Sequence, residues 1–130
     1  MSASAAMAAP EPSHASAAAQ NNPKMIEEDI DFVIDTYNIR PCEYIKLADL
    51  VGYLRQHPEA EVTLSGYADV ETGTHPYNMA LSQRRADAVM FELERAGVEM
   101  ERIHKNAYGD TVQPFAVNED NRVLVAVINK

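Results

Sequence analysis

An aspartate at the end of a strand and an arginine on the following helix are the residues from which we predict a ligand site. Asp69 closes the segment Gly66-Tyr-Ala-Asp69, directly after an alternating apolar pattern, and Arg85 lies on the flank of the next helical segment. Ligands of α/β layers bind at the carboxyl ends of strands, beside the helix that follows. A carboxylate and a guanidinium facing one cleft suit a zwitterion, with its ammonium on Asp69 and its carboxylate on Arg85. The same spacing allows a plain surface ion pair between the two side chains.

No arrangement of catalytic or metal-binding residues stands out. The four histidines lack the spacing of metal ligands, and the single cysteine, Cys42, has no recognisable nucleophile context. A hydrolase would need a metal cluster or a paired acid and nucleophile, and the sequence offers neither. We therefore predict a binding module rather than an enzyme, with no catalytic residue, no metal and no cofactor.

Composition and charge restrict the class of partner. The chain has 130 residues, of which 46% are hydrophobic and 24% charged, as in globular domains. Its formal net charge of −9 argues against nucleic acid or an anionic lipid surface as the main partner, because phosphate binding needs clustered lysine and arginine. No run approaches the ~20 apolar residues of a membrane-spanning helix, so we expect no direct membrane insertion. Oligomeric state stays open.

Residues 1–24 differ from the rest of the chain. They are rich in alanine, serine and proline, and they contain no aromatic or branched aliphatic side chain. Such a segment buries too little apolar area to offset the entropy of ordering. It also lacks the basic start and the apolar stretch of a secretory signal. We predict a flexible linker or an appended leader, followed by one domain over residues 25–130.

The remaining residues show the periodicity of alternating strands and helices. The pattern predicts a first strand around Ile30–Ile34, a helix that carries Leu47 to Leu54 and ends at Pro58, and a half-buried strand over Glu61–Gly66. A long helix over Tyr77–Ala96, a weaker strand over Arg102–Tyr108 and an apolar strand over Val123–Ile128 follow. This β-α-β-α-β-β order predicts an α/β (α+β) sandwich, with helices packed on a mixed four-stranded sheet.

Several ordered motifs resemble the OmpA-like C-terminal domain family. They are Leu64-Ser-Gly-Tyr-Ala-Asp69, Tyr77-Asn-x-x-Leu-Ser-x-x-Arg-Ala86, Gly97-Val98, Pro114 and Asn121-Arg-Val123. The resemblance runs from about Ile30 to Ile128 and implies a periplasmic, non-enzymatic domain of an outer-membrane-associated protein. It further implies non-covalent binding of peptidoglycan, which tethers the outer membrane or an envelope complex to the cell wall.

The resemblance also implies roles for individual residues. The family's strand-end aspartate and helix arginine grip the diaminopimelate residue of the peptidoglycan stem peptide, which places its ammonium on Asp69 and its carboxylate on Arg85. Asn78 and Leu81 match positions that line the same pocket, Leu81 through its backbone. Arg122 matches a family arginine and is expected to reach the peptide or a sugar.

The chain departs from the family pattern beside the predicted site. Tyr67-Ala68 stand where the family commonly has His-Thr, and Val123 replaces a second arginine. Tyr67 could stack on a sugar or close the pocket, and it could equally be a sheet-edge tyrosine with its hydroxyl in water. An alternative function is a structural or protein-interaction domain of the cell envelope that has the fold, docks an envelope protein and does not bind peptidoglycan.

Overall fold

The computed structural model describes residues 25–129 and contains four strands and two long helices in that range. In chain order these are β1 (Met25–Asp31), α1 (Tyr44–Gln56), β2 (Glu61–Gly66), α2 (His75–Arg95), β3 (Ile103–Ala107) and β4 (Val123–Asn129). The predicted linker or leader over residues 1–24 lies outside the described residues.

The four strands form one mixed sheet in the order β1-β4-β2-β3. β4 is central and runs antiparallel to both β1 and β2, whereas β2 and β3 are parallel, as their helical connection requires. The predicted fold class and element order are therefore confirmed.

The first strand differs from its prediction. It covers Met25–Asp31 rather than Ile30–Ile34, and Val33 and Ile34 are exposed. Glu27, Asp29 and Asp31 occupy the face of β1 turned away from the helices, where the apolar alternation is interrupted. The chain leaves the sheet after Asp31, whose backbone N–H donates to the Glu43 carboxylate at 3.0 Å.

The helices pack on one face of the sheet and form the larger core with it. Ile30, Val62, Leu64 and the alternate residues of β4 meet the apolar stripes of α1 and α2 there. The other face carries a smaller cluster of Tyr67, Phe115, Val123 and Val125, which the segment between β3 and β4 covers. Apolar residues on both faces of β4 are buried in this way, as the sequence predicts for a central strand.

Close packing fixes the end of β2 against α2. A Cβ added at Gly66 would overlap the backbone carbonyl oxygen of Ser82, so only glycine fits. The Ser82 hydroxyl accepts a hydrogen bond from the Gly109 N–H at 2.9 Å, which ties the turn after β3 to the same helix. These contacts bring the segments after β2 and β3 together beside the first turns of α2.

Candidate functional site

Asp69 organises the loop that joins β2 to α2. Its carboxylate oxygen Oδ1 accepts hydrogen bonds from the backbone N–H groups of Glu71 at 3.1 Å and Thr72 at 3.0 Å. The Thr72 hydroxyl lies 2.8 Å from Oδ1 and 2.9 Å from Oδ2. Asp69 is 3% exposed, so this turn holds a carboxylate in a fixed, largely enclosed position.

The ion-pair partner of Asp69 is Arg122. The Arg122 Nε donates to Oδ2 at 2.8 Å, and the Asn118 side-chain amide donates to Oδ1 at 3.2 Å. Burial would raise the pKa of Asp69, but hydrogen bonds from Arg122, Thr72 and Asn118 outweigh burial and hold that pKa below its ordinary value. Asp69 is therefore an anion throughout the neutral range.

The side chain of Arg85, predicted on the flank of α2, turns into the interior. It is 1% exposed, and its guanidinium lies 5.1 Å from the centre of the Phe32 ring. Nε donates to the Thr36 carbonyl and Nη1 to the Tyr67 carbonyl, both at 2.8 Å, while Nη2 lies 3.4 Å from the Val33 carbonyl. The side chain thus fastens the segment after β1 to the end of β2.

Arg85 lies near both Asp69 and Arg122, whose charges act on its pKa in opposite directions. Burial lowers the pKa of Arg85 to about 10, and the nearby positive charge of Arg122 acts in the same direction while Asp69 opposes it. A pKa of about 10 leaves the guanidinium charged at neutral pH. Asp69, Arg85 and Arg122 therefore lie close to one another at the end of β2, and Asp35 adds a second negative charge near Arg85. Asp69 is hydrogen-bonded to Arg122 rather than to Arg85.

Asn78 is held by three acceptors at the start of α2. Its side-chain amide donates to the Thr72 carbonyl at 2.8 Å and to Asp110 Oδ2 at 2.9 Å, and it lies 3.4 Å from the Asp69 carbonyl. Asp110, which is 6% exposed, also contacts Nδ1 of His75 at 2.7 Å. Burial would raise the pKa of Asp110, but hydrogen bonds from Asn78 and His75 lower it.

The two remaining predicted residues are both enclosed. Leu81 is 6% exposed and lies one turn after Asn78 on α2. The Tyr67 ring is also 6% exposed, packs in the smaller cluster and stacks on Tyr108 with ring centres 5.3 Å apart. Burial raises the pKa of the Tyr67 hydroxyl. Toward Arg85, Tyr67 presents its carbonyl oxygen rather than its ring.

Three polar residues of the site were missed from the sequence. Thr72 could have been found, because an aspartate followed three residues later by threonine is typical of a side-chain-stabilised turn. Asn118 and Asp110 give no such local signal, since their partners in the site are 49 and 32 residues away.

The described residues contain no arrangement that suggests a metal centre or a membrane-spanning helix. Within residues 25–129, no three or more His, Cys, Asp or Glu side chains are placed to hold a metal ion. Neither long helix in that range is apolar enough to cross a membrane.

Comparison with known proteins gives one consistent result. The OmpA family matches residues 31–123. The peptidoglycan-associated lipoprotein of Brucella melitensis is 36% identical over 106 residues, covering 77% of this chain and 62% of that protein. Outer membrane porin F of Pseudomonas fluorescens is 36% identical over 93 residues, covering 72% of this chain and 28% of that protein. The chain thus spans less than two thirds of either relative.

A solved structure agrees with these relatives. The crystal structure of the peptidoglycan-associated lipoprotein from Burkholderia pseudomallei superposes with a TM-score of 0.73 at 27% sequence identity, covering 78% of this chain and 89% of that one.

Proposed function

Because this chain belongs to the OmpA family, we propose that it binds peptidoglycan non-covalently and tethers an outer membrane or an envelope complex to the cell wall. Its place would then be the periplasm, within an outer-membrane-associated protein. Its similarity to an outer membrane porin and to peptidoglycan-associated lipoproteins supports this proposal.

The ligand in this proposal is the diaminopimelate residue of the stem peptide. Its free end carries an ammonium and a carboxylate on one carbon, so it needs an anionic and a cationic group side by side. Asp69, Arg85 and Arg122 supply both signs at the end of β2, and Asn78 and Leu81 line the adjoining turn of α2. The observation that carries the proposal is Asp69, a nearly buried carboxylate that stays ionised.

Recognition of this kind needs no chemistry beyond charge and fit. A single amino-carboxylate buries little area, so we expect a modest affinity for one stem peptide. Many such domains on one membrane, all facing one polymer, would supply the avidity that a stable tether requires.

Co-sedimentation with purified cell-wall sacculi tests the proposal. The protein is expected to sediment with sacculi that contain diaminopimelate, and to do so much less with sacculi that contain lysine at the same position. Asp69→Asn removes the anion while keeping the side-chain size, and it should lose about 2–5 kcal/mol of binding free energy. Asp87→Asn, on the exposed face of α2, is the matched control and should sediment like the wild type.

Two results would contradict the proposal. Sedimentation of a folded Asp69→Asn variant at the wild-type level would remove Asp69 from the site. No sedimentation of the wild type with either kind of sacculus would favour the alternative, a domain that docks an envelope protein.

A further inference from the structure

We propose that two copies of this chain associate through a groove on the outer side of α2, with their α2 helices antiparallel across a two-fold axis. The groove lies between α2 and the segment that joins β1 to α1. Within residues 25–129, no side-chain hydrogen bond joins the residues that line it to Asp69, Arg85 or Arg122. The inference therefore goes beyond the proposed function and does not depend on it.

Three exposed aromatic rings line this groove, which has a volume of about 420 Å³. Tyr37 and Tyr44 are each 42% exposed, and Phe91 is 59% exposed. Between them, α2 contributes Ala88, whose single methyl group allows the axis of another helix to approach closely. Large apolar side chains gathered around one exposed groove mark an interaction surface.

Arginine side chains lie against two of these rings. The Arg84 guanidinium is 5.4 Å from the centre of the Tyr37 ring, and the Arg95 guanidinium is 6.0 Å from the centre of the Phe91 ring. Aromatic residues and arginine are enriched in protein interfaces and contribute most of the binding free energy there. The composition of the groove therefore favours a protein surface as its occupant.

The order of charges along α2 identifies that surface as a second copy. Arg84 and Glu92 lie four residues before and after Ala88, about one helical turn to either side. When two α2 helices cross antiparallel at Ala88, each Arg84 comes level with the partner's Glu92. A two-fold interface repeats every contact, so this register forms two pairs of opposite charge. A parallel arrangement would bring like charges level with each other instead.

Both charged groups are available for such a contact. Arg84 has no carboxylate partner within residues 25–129, and its guanidinium lies 3.5 Å from the Tyr37 hydroxyl. Glu92 lies 3.4 Å from the Arg95 guanidinium, whose side chain is 68% exposed. An exposed ion pair of this kind is weak, so Glu92 can also accept hydrogen bonds from Arg84 of the partner subunit.

The size and charge of this surface set the expected affinity. One helix face and one connecting segment form a small interface, at the low end of the sizes found in specific complexes. Each copy also carries a net charge of −9, and the mutual repulsion opposes association. We therefore expect a weak dimer, with a dissociation constant on the order of 100 µM.

Sedimentation equilibrium at about 0.15 M salt, from about 10 µM to about 1 mM protein, measures this association. The wild type should pass from monomer to dimer within that range. Phe91→Ser removes an exposed aromatic anchor and should raise the dissociation constant at least about tenfold. Because Phe91 is 59% exposed, the variant should stay folded, and thermal unfolding verifies this.

Charge reversal tests the antiparallel register. In Arg84→Glu and in Glu92→Arg, like charges would meet twice, so each variant alone should remain monomeric over the same range. An equimolar mixture of the two variants restores opposite charges at both contacts and should dimerise like the wild type. Glu92→Arg also lowers the net negative charge by two, so net repulsion cannot explain weaker association. Glu101→Arg makes the same charge change at an exposed position outside α2, and this matched control should associate at least as tightly as the wild type.

Three results would overturn the proposal. The first is a wild type that stays monomeric up to the highest concentration. The second is a folded Phe91→Ser variant that dimerises with the wild-type dissociation constant. The third is a mixture of Arg84→Glu and Glu92→Arg that does not associate. All three concern self-association alone, whereas co-sedimentation with sacculi tests the proposed function separately.

Discussion

Truncation of Arg85 to alanine should destabilise the fold more than removal of any other charged side chain of α2. Its guanidinium donates to the carbonyls of Thr36 and Tyr67 at 2.8 Å, and it lies against the Phe32 ring. No other side chain within residues 25–129 links the segment after β1 to the end of β2 by such hydrogen bonds. The variant therefore measures how much Arg85, which the sequence predicts as a ligand contact, contributes to the free energy of unfolding.

The expected loss can be estimated contact by contact. The Tyr67 carbonyl, left buried without a donor, costs about 1–3 kcal/mol, and the half-buried Thr36 carbonyl costs less because water replaces the donor. Lost packing of the arginine stem adds about 1–2 kcal/mol. Relief from burying a charge offsets part of this total. The free energy of unfolding should fall by about 2–4 kcal/mol, which lowers a urea midpoint by roughly 1–2 M.

Urea denaturation followed by far-ultraviolet circular dichroism measures this loss, and the neighbouring arginine provides the control. Arg84→Ala removes an exposed side chain whose guanidinium lies 5.4 Å from the Tyr37 ring, so its unfolding free energy should stay within about 0.5 kcal/mol of the wild type. Arg85→Met keeps the stem and separates packing from hydrogen bonding. An Arg85→Ala variant as stable as Arg84→Ala would refute the role assigned to the buried guanidinium.

Two further predictions concern the rest of the fold. Gly66→Ala should lower the free energy of unfolding by about 3 kcal/mol or more, because the added methyl group would overlap the Ser82 carbonyl. Gly52→Ala on α1, where nothing lies within 4 Å of the added methyl group, should raise it by about 0.5–1 kcal/mol. Thermal unfolding of the pair measures both changes, and equal melting temperatures would contradict the packing at β2. Burial raises the pKa of Glu27 from 4.5 to about 8, and the charge of Asp29 acts in the same direction. The folded state therefore holds the Glu27 proton more tightly than the unfolded state does. This contribution to the free energy of unfolding is complete below pH 4.5 and is lost as the pH rises to about 8. Glu27→Gln should therefore flatten the decline of unfolding free energy over that interval, while Glu101→Gln, an exposed control, should leave the decline unchanged; an unaltered decline in Glu27→Gln would contradict the prediction.

Much of the fold could be predicted from the sequence, because apolar periodicity is a local property of the chain. The bounds of β2 matched their prediction, and the ends of α2 fell within two residues of it, with Gly97 adopting the left-handed conformation (φ 98°) expected just after a helix. The predicted position of β1 was wrong because the strand is acidic on the face that points away from the helices. Glu27 and Asp29 hide the alternation there, while the apolar residues Phe32 and Ile34 continue it beyond the strand's end.

The structure brings the charged residues of the predicted site together at the end of β2, but it pairs them differently from the prediction. Helical angles put Arg85 on the flank of α2, but a long side chain on a flank can lie on the surface or turn inward. The acceptors that draw it inward are backbone carbonyls 49 and 18 residues away, at Thr36 and Tyr67. The Asp69–Arg122 pair likewise joins residues 53 positions apart. Such pairings depend on how the sheet brings strand ends together, which local patterns do not specify.

We propose that this domain recognises the diaminopimelate end of a stem peptide at the close of β2. An amide-shift titration by NMR, with a diaminopimelate muropeptide and its lysine counterpart, tests that claim most directly. We expect shifts at Asp69, in the first turns of α2 and around Arg122 that saturate with the diaminopimelate peptide and stay small with the lysine peptide. Saturating shifts elsewhere on the domain, or none at these amides with either peptide, would contradict it.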